Sequence, residues 1–81
     1  MACQFSVYPL GEPDYMEVIY DVIAQTKAHR AYSGSQHFCT RLEGPIDAVF
    51  EALASAFSLA SGAAAHTVMT ATLSVNSPSR T

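Results

Sequence analysis

The last third of the chain contains a strand-like run from His66 to Asn76, in which hydrophobic and polar residues alternate from Met69 onward. Side chains of a strand point to opposite sides in turn, so this segment is predicted as a strand with one apolar and one small, hydroxylated side. The two sets are Met69, Ala71, Leu73 and Val75, and Val68, Thr70, Thr72, Ser74 and Asn76. Residues 3–8 repeat the alternation and are predicted as the first strand. It is expected to stop at Pro9, which cannot donate to a sheet ladder.

Two segments carry apolar residues at helical spacing instead. The first helix is expected to begin at Asp14, with Glu17 completing a capping box, and to fade near Lys27. Its apolar positions are Met16, Ile19, Tyr20 and Ile23, broadened by Val18 and Val22. The second follows Pro45 and is expected to end at a Gly62 cap. Its apolar positions are Ile46, Val49, Phe50, Leu53, Phe57 and Ala60.

Two weaker strand-like segments, residues 31–38 and 39–43, lie between the helices and complete the order βαββαβ. The pattern predicts an α+β fold of the ferredoxin-like kind, a four-stranded antiparallel sheet with two helices on one face. The bare sheet face would then carry the hydroxylated side of the strands. Because no charge is expected on that face, we predict that it packs against another copy of the chain.

The length, charge and cysteine content of the chain argue against several classes of function. The chain has 81 residues, predicted as a single domain over residues 1–81, and a core of this size is marginal without a partner. A homodimer or homotetramer is therefore expected. The net charge of −3 and the four cations argue against nucleic-acid binding, and no apolar run reaches the length of a membrane span. Two cysteines without a signal peptide predict a cytoplasmic protein without disulfides.

The sequence offers little catalytic chemistry. The histidines are scattered, no Cys/His cluster suggests a metal or another cofactor, and both cysteines are predicted as buried, inert thiols. His37, at the junction of two strands, is the histidine that could face a ligand. Glu12 and Asp14 are interpreted as helix caps. Alternatively, one of them, with Tyr8 or Tyr15, faces a cationic ligand. The chain is therefore not expected to be an enzyme.

Four motifs carry a family resemblance. They are CQFSVYPL at residues 3–10, EPDYM at 12–16, LxGxxDxVF at 42–50 and NSPSR at 76–80. In this order they resemble the YkoF-type thiamine/hydroxymethylpyrimidine-binding proteins, and most closely the second of the two tandem modules in the longer members. The resemblance implies a ferredoxin-like module that binds thiamine or its pyrimidine precursor without catalysis, in thiamine salvage or transport. A chain with one module would rebuild the missing half by self-association.

The same resemblance implies which residues contact the ligand. By matching position, these are Ser6, Val7 and Tyr8 of the first strand, with His37 and Thr40. Two other functions stay open: an oligomerising protein-interaction module without a small-molecule ligand, and an enzyme on this versatile fold.

Overall fold

The computed structural model describes residues 1–11, 13–36 and 39–75. Its elements follow the order β1 (Ala2–Leu10), α1 (Tyr15–Lys27), β2 (Tyr32–Gln36), β3 (Cys39–Glu43), α2 (Ile46–Ala63) and β4 (His66–Ser74). The strands form one antiparallel sheet in the order β2-β3-β1-β4. Both helices pack on one face of this sheet. The predicted ferredoxin-like βαββαβ fold is confirmed.

The first strand runs further than its sequence predicts. Strand β1 continues through Pro9 to Leu10 and stays in register with β4. Its ladder with β3 reaches only to Phe5, which pairs with Thr40. Among the described residues, Pro9 therefore pairs on the β4 side alone, and such an edge position tolerates proline.

The core lies between the helices and the odd-numbered residues of β1. Cys3, Phe5 and Val7 are buried there, and Leu42 and Val49 are fully buried. On α2 the stripe of four alanines, Ala48, Ala52, Ala56 and Ala60, is buried as well. Small side chains at i, i+4 spacing let the helix backbone approach the sheet closely.

Three large residues predicted for the buried side of α2 are exposed instead. Ile46, Phe50 and Phe57 lie on its outer side, with exposed fractions of 56%, 50% and 39%. On α1, Tyr20 is exposed too, and Val18 and Val22 take the core positions. The prediction assigned the large apolar side chains to the buried face of α2, but the stripe of small alanines is the face that packs against the sheet.

Helix α2 ends one residue beyond its predicted glycine cap. Gly62 lies within the last turn, and the C-cap is Ala64 in an extended conformation. By length and composition alone α2 also matches a membrane span, with a mean hydropathy of 1.3 over 18 residues. A third of that window is buried inside the domain. Core helices pass the same test, so this match carries no argument for a membrane.

Candidate functional site

A pocket of about 410 Å³ lies at the corner where β1 ends and α1 begins. Gly11 makes the turn between them with φ of +76°, in the left-handed region that favours glycine. The lining is mostly apolar and comprises Val7, Tyr8, Pro9, Leu10, Gly11, Tyr15 and Ile19. The volume lies within the range of small-molecule sites, roughly 300–1,000 Å³. Two half-exposed tyrosines, one from each element, supply flat aromatic walls.

Asp14 starts α1 beside this pocket, but it does not cap the helix as predicted. Its side chain makes no cap hydrogen bond, and its backbone φ and ψ are −102° and 37°. The Asp14 carbonyl oxygen accepts the first-turn hydrogen bond from the Glu17 N–H at 3.0 Å. The exposed carboxylate is therefore free of a cap bond and can serve a ligand. Glu12, the other predicted cap, lies outside the described residues.

The predicted ligand residues divide between the two faces of the sheet. Ser6 and Tyr8 point to the open face, because they pair with Thr70 and Val68 of β4 on that side. Val7 and Thr40 point to the helices and are buried. Val7 and Tyr8 both line the corner pocket. His37 lies outside the described residues.

Thr40 lines a second, much smaller cavity beneath α1. This cavity measures about 10 Å³, and its lining includes Ser6, Val7, Ile19 and Thr40. It is too small for an organic ligand and close to the space that one water needs. Val7 and Ile19 line both cavities and separate Thr40 from the corner pocket.

The open sheet face is polar as predicted, but it is not uncharged. A rung of paired positions crosses it, Gly34 of β2, Arg41 of β3, Gln4 of β1 and Thr72 of β4. Strand β3 also places Glu43 on this face, where its carboxylate accepts a hydrogen bond from the Ser33 hydroxyl at 3.4 Å. The expectation of a charge-free face was wrong because it considered β1 and β4 and left out β3.

The two cysteines differ in their surroundings. Cys3 is buried, and its burial raises the pKa of the thiol. Cys39 is only half-buried on the open face, with its Sγ 3.3 Å from the Ser6 Oγ. Hydrogen bonds with Ser6 and Gln4 lower the pKa of the Cys39 thiol. The predicted burial is confirmed for Cys3 and wrong for Cys39.

The described histidines have no catalytic surroundings. His29 accepts the Ala31 N–H with Nδ1 at 3.0 Å, so its Nε2 carries the proton and donates to Glu51 at 2.8 Å. This bond ties the end of α1 to α2. His66 lies exposed at the start of β4. In the part of the chain that the structure describes, no group of three His, Cys, Asp or Glu side chains could hold a metal.

Several lining residues of the corner pocket were not in the predicted ligand set. Ile19 was interpreted as core, and Tyr15 was considered only as an alternative partner for a cation. The combination of an aromatic residue before a strand-ending turn and another just after it, Tyr8 and Tyr15, was the available signal.

The fold and the corner pocket define a small ferredoxin-like module with an aromatic, largely apolar site. The YKOF-related family model matches residues 1–80, and the chain belongs to this family. It is 40% identical over 78 residues to a Bacillus subtilis protein named "Putative HMP/thiamine-binding protein YkoF". The match covers 96% of this chain and 39% of that protein, so the chain spans about two fifths of the relative's length.

Solved structures from other organisms share the fold. The protein SP2199 of Streptococcus pneumoniae superposes with a TM-score of 0.86 at 25% identity, covering 95% of this chain and 87% of that one. The hypothetical protein MJ1052 of Methanocaldococcus jannascii gives a TM-score of 0.78 at 20% identity, covering 98% and 88%. A domain of unknown function from Bacillus cereus gives 0.76 at 20% identity, covering 88% and 70%.

Proposed function

We propose that this chain binds thiamine or its hydroxymethylpyrimidine precursor without catalysis, as a cytoplasmic homo-oligomer in thiamine salvage or transport. The family relationship and the name of the Bacillus subtilis relative support a binding role. The single observation that carries the proposal is the corner pocket, which combines a suitable volume with aromatic walls and few charges.

The pocket matches the chemistry of an aminopyrimidine. Such a ring is flat and weakly polar, and it needs apolar walls with one or two matched hydrogen bonds. Tyr8 and Tyr15 provide the walls, while Val7 and Ile19 form the inner apolar surface. The strand end around Gly11 lines the pocket, and its backbone groups would bond the edge of the ring.

Thiamine differs from the pyrimidine precursor by its positively charged thiazolium ring. An aromatic face attracts such a cation, by roughly 0.5–2 kcal/mol depending on exposure. The exposed carboxylate of Asp14 is free of a cap bond and directly precedes the lining residue Tyr15, so it would supply a negative charge near the site. We therefore place the thiazolium outward near Asp14 and the pyrimidine inward against Val7.

Thr40 belongs to the inner end of this proposed site. Its hydroxyl reaches a ligand in the corner pocket when the Ile19 side chain moves aside, because Ile19 stands between the two cavities. A ligand that displaces Ile19 would form a hydrogen bond with the Thr40 hydroxyl, and that bond would offset part of the cost of the movement.

Calorimetric titration with thiamine and with hydroxymethylpyrimidine tests the proposal. Tyr15→Ala should weaken both ligands about tenfold, because it removes a wall of the site. Tyr20→Ala is the matched control: Tyr20 is also an exposed tyrosine of α1, but it does not line the pocket. Equal losses in the two variants, or no heat at millimolar ligand, would overturn the proposal.

A charge variant separates the two ligands. Asp14→Asn should weaken thiamine severalfold and leave the uncharged pyrimidine unchanged, since only thiamine carries the cation. Asp21→Asn, which removes another exposed carboxylate of α1, should change neither affinity.

A protein-interaction module without a ligand is the second candidate function. It is favoured by the three large apolar residues on the outer side of α2, Ile46, Phe50 and Phe57. This candidate takes precedence if neither compound binds.

A further inference from the structure

A second pocket, which we call the open-face pocket, lies on the open face of the sheet at the end where β1 begins. It measures about 460 Å³, within the range of small-molecule sites, roughly 300–1,000 Å³. Its polar lining comprises Gln4, Ser33, Arg41, Glu43, Thr72 and Ser74. None of its lining residues lines the corner pocket, which lies at the other end of β1. The two pockets are therefore separate candidate sites.

The chemistry of the open-face pocket differs from that of the corner pocket. The Gln4 amide and the hydroxyls of Thr72 and Ser74 lie beside the charged groups of Arg41 and Glu43. Amide and hydroxyl groups both donate and accept hydrogen bonds. A flat apolar ring that displaced water here would leave these groups without partners, which is costly. The lining therefore favours a ligand that carries several hydrogen-bonding groups of its own.

Arg41 provides the positive charge in this pocket. It pairs with Gln4 on one side and with Gly34 on the other. A Cβ atom at Gly34 would lie 3.7 Å from Nη2 of Arg41, so the guanidinium lies against β2 where that strand has no side chain. Among the described residues the one ion pair joins His29 to Glu51, so no described carboxylate forms an ion pair with Arg41. An exposed guanidinium binds a carboxylate through two parallel hydrogen bonds.

The other charge in the lining limits how much negative charge a ligand can bring. Glu43 follows Arg41 by two residues on the same face of β3, roughly 7 Å away along the strand. Its carboxylate accepts the hydrogen bond from the Ser33 hydroxyl at 3.4 Å. A phosphate monoester carries a charge of about −1.5 to −2, more than one guanidinium balances, and Glu43 would repel the excess. A carboxylate carries a single charge and matches Arg41.

We propose that the open-face pocket binds a hydroxylated monocarboxylate, such as a sugar acid. The carboxylate of the ligand pairs with the Arg41 guanidinium, and its hydroxyls form hydrogen bonds with Gln4, Thr72 and Ser74. These four side chains lie on three neighbouring strands of one sheet, so the backbone that carries them is already in place before binding. The inference is independent of the proposed function, because it uses other residues and another ligand.

Gluconate is the probe, and backbone amide chemical shifts of the isotope-labelled chain report where it binds. The shifts should saturate and concentrate at Gln4, Arg41 and Thr72. Sorbitol replaces the carboxylate of gluconate by an alcohol, and hexanoate keeps the carboxylate without the hydroxyls. Each should bind about tenfold more weakly than gluconate. Equal affinity for gluconate and either of these compounds, or no shifts at millimolar gluconate, would overturn the proposal. Tighter binding of glucose 6-phosphate than of gluconate would overturn it as well.

Arginine variants test the contact with the carboxylate. Arg41→Gln should weaken gluconate binding about tenfold, because it removes the charge and the paired donors. Arg41→Lys keeps the charge but loses the bidentate geometry, so its affinity should fall between those of the wild type and Arg41→Gln. Arg30→Gln is the matched control, since Arg30 is also exposed but does not line the pocket. Equal losses in Arg41→Gln and Arg30→Gln would refute the assignment.

A competition experiment separates this site from the corner pocket. The affinity for gluconate should be the same with and without saturating thiamine, since the two pockets share no lining residue. Competition between the two compounds would place gluconate in the corner pocket and overturn the open-face site. A chain that binds gluconate at Arg41 but does not bind thiamine would support this inference and contradict the proposed function.

Discussion

Replacing Thr40 by valine tests the inner end of the proposed site, because it should change binding and leave the fold intact. The Thr40 side chain is 2% exposed, and no buried side-chain polar atom of the described residues lacks a hydrogen-bond partner. Valine keeps the shape of the side chain and removes only the hydroxyl. Thr40→Val should therefore change the free energy of unfolding by no more than about 1 kcal/mol.

The same substitution should weaken thiamine binding about tenfold, or about 1.4 kcal/mol, because the ligand loses one hydrogen bond. Thr26→Val is the matched control. Thr26 is also a buried threonine, 3% exposed, but its hydroxyl donates to the Val22 carbonyl at 2.7 Å. Its loss should destabilise the fold by about 1 kcal/mol and leave affinity unchanged. Urea unfolding and calorimetry measure the two quantities. Unchanged thiamine affinity in Thr40→Val would refute the role of Thr40.

Three further outcomes are expected. Iodoacetamide near neutral pH should label Cys39 and spare Cys3. The lowered pKa of Cys39 raises its thiolate fraction, whereas Cys3 is buried and its pKa is raised. Equal labelling of the two cysteines by mass spectrometry would contradict this prediction. Ala56→Leu should destabilise the fold by roughly 1–3 kcal/mol through overpacking against the sheet, whereas Ser58→Leu on the exposed side of α2 should change unfolding little. Thiamine phosphate should bind no better than thiamine, since the described lining of the corner pocket includes no glycine-rich loop and no cation. A large gain in affinity would indicate a site near Arg41 instead.

The fold followed from the sequence because each element carries its own periodicity. The alternation of β4 and the punctuation by Gly11 and Gly44 determine where strands and helices begin and end. The sequence pattern did not predict which face of α2 is buried. Hydrophobicity ranks Phe50 above Ala56, but close contact with the sheet selects the smaller side chain.

The candidate site was predicted only in part from the sequence. Neighbours in a strand point to opposite faces, so the predicted set of Ser6, Val7, Tyr8 and Thr40 was divided by the sheet. The corner pocket depends on how α1 meets the end of β1. That angle results from tertiary packing, and no local pattern at Tyr15 encodes it.

The most direct test of the proposed function is a titration of the isotope-labelled chain with thiamine, followed by backbone amide chemical shifts. The account predicts saturable shifts concentrated at Val7, Tyr8, Gly11, Tyr15 and Ile19, around the corner pocket. Shifts concentrated instead on the open-face rung of Gln4, Arg41 and Thr72, or no shifts at millimolar thiamine, would contradict it.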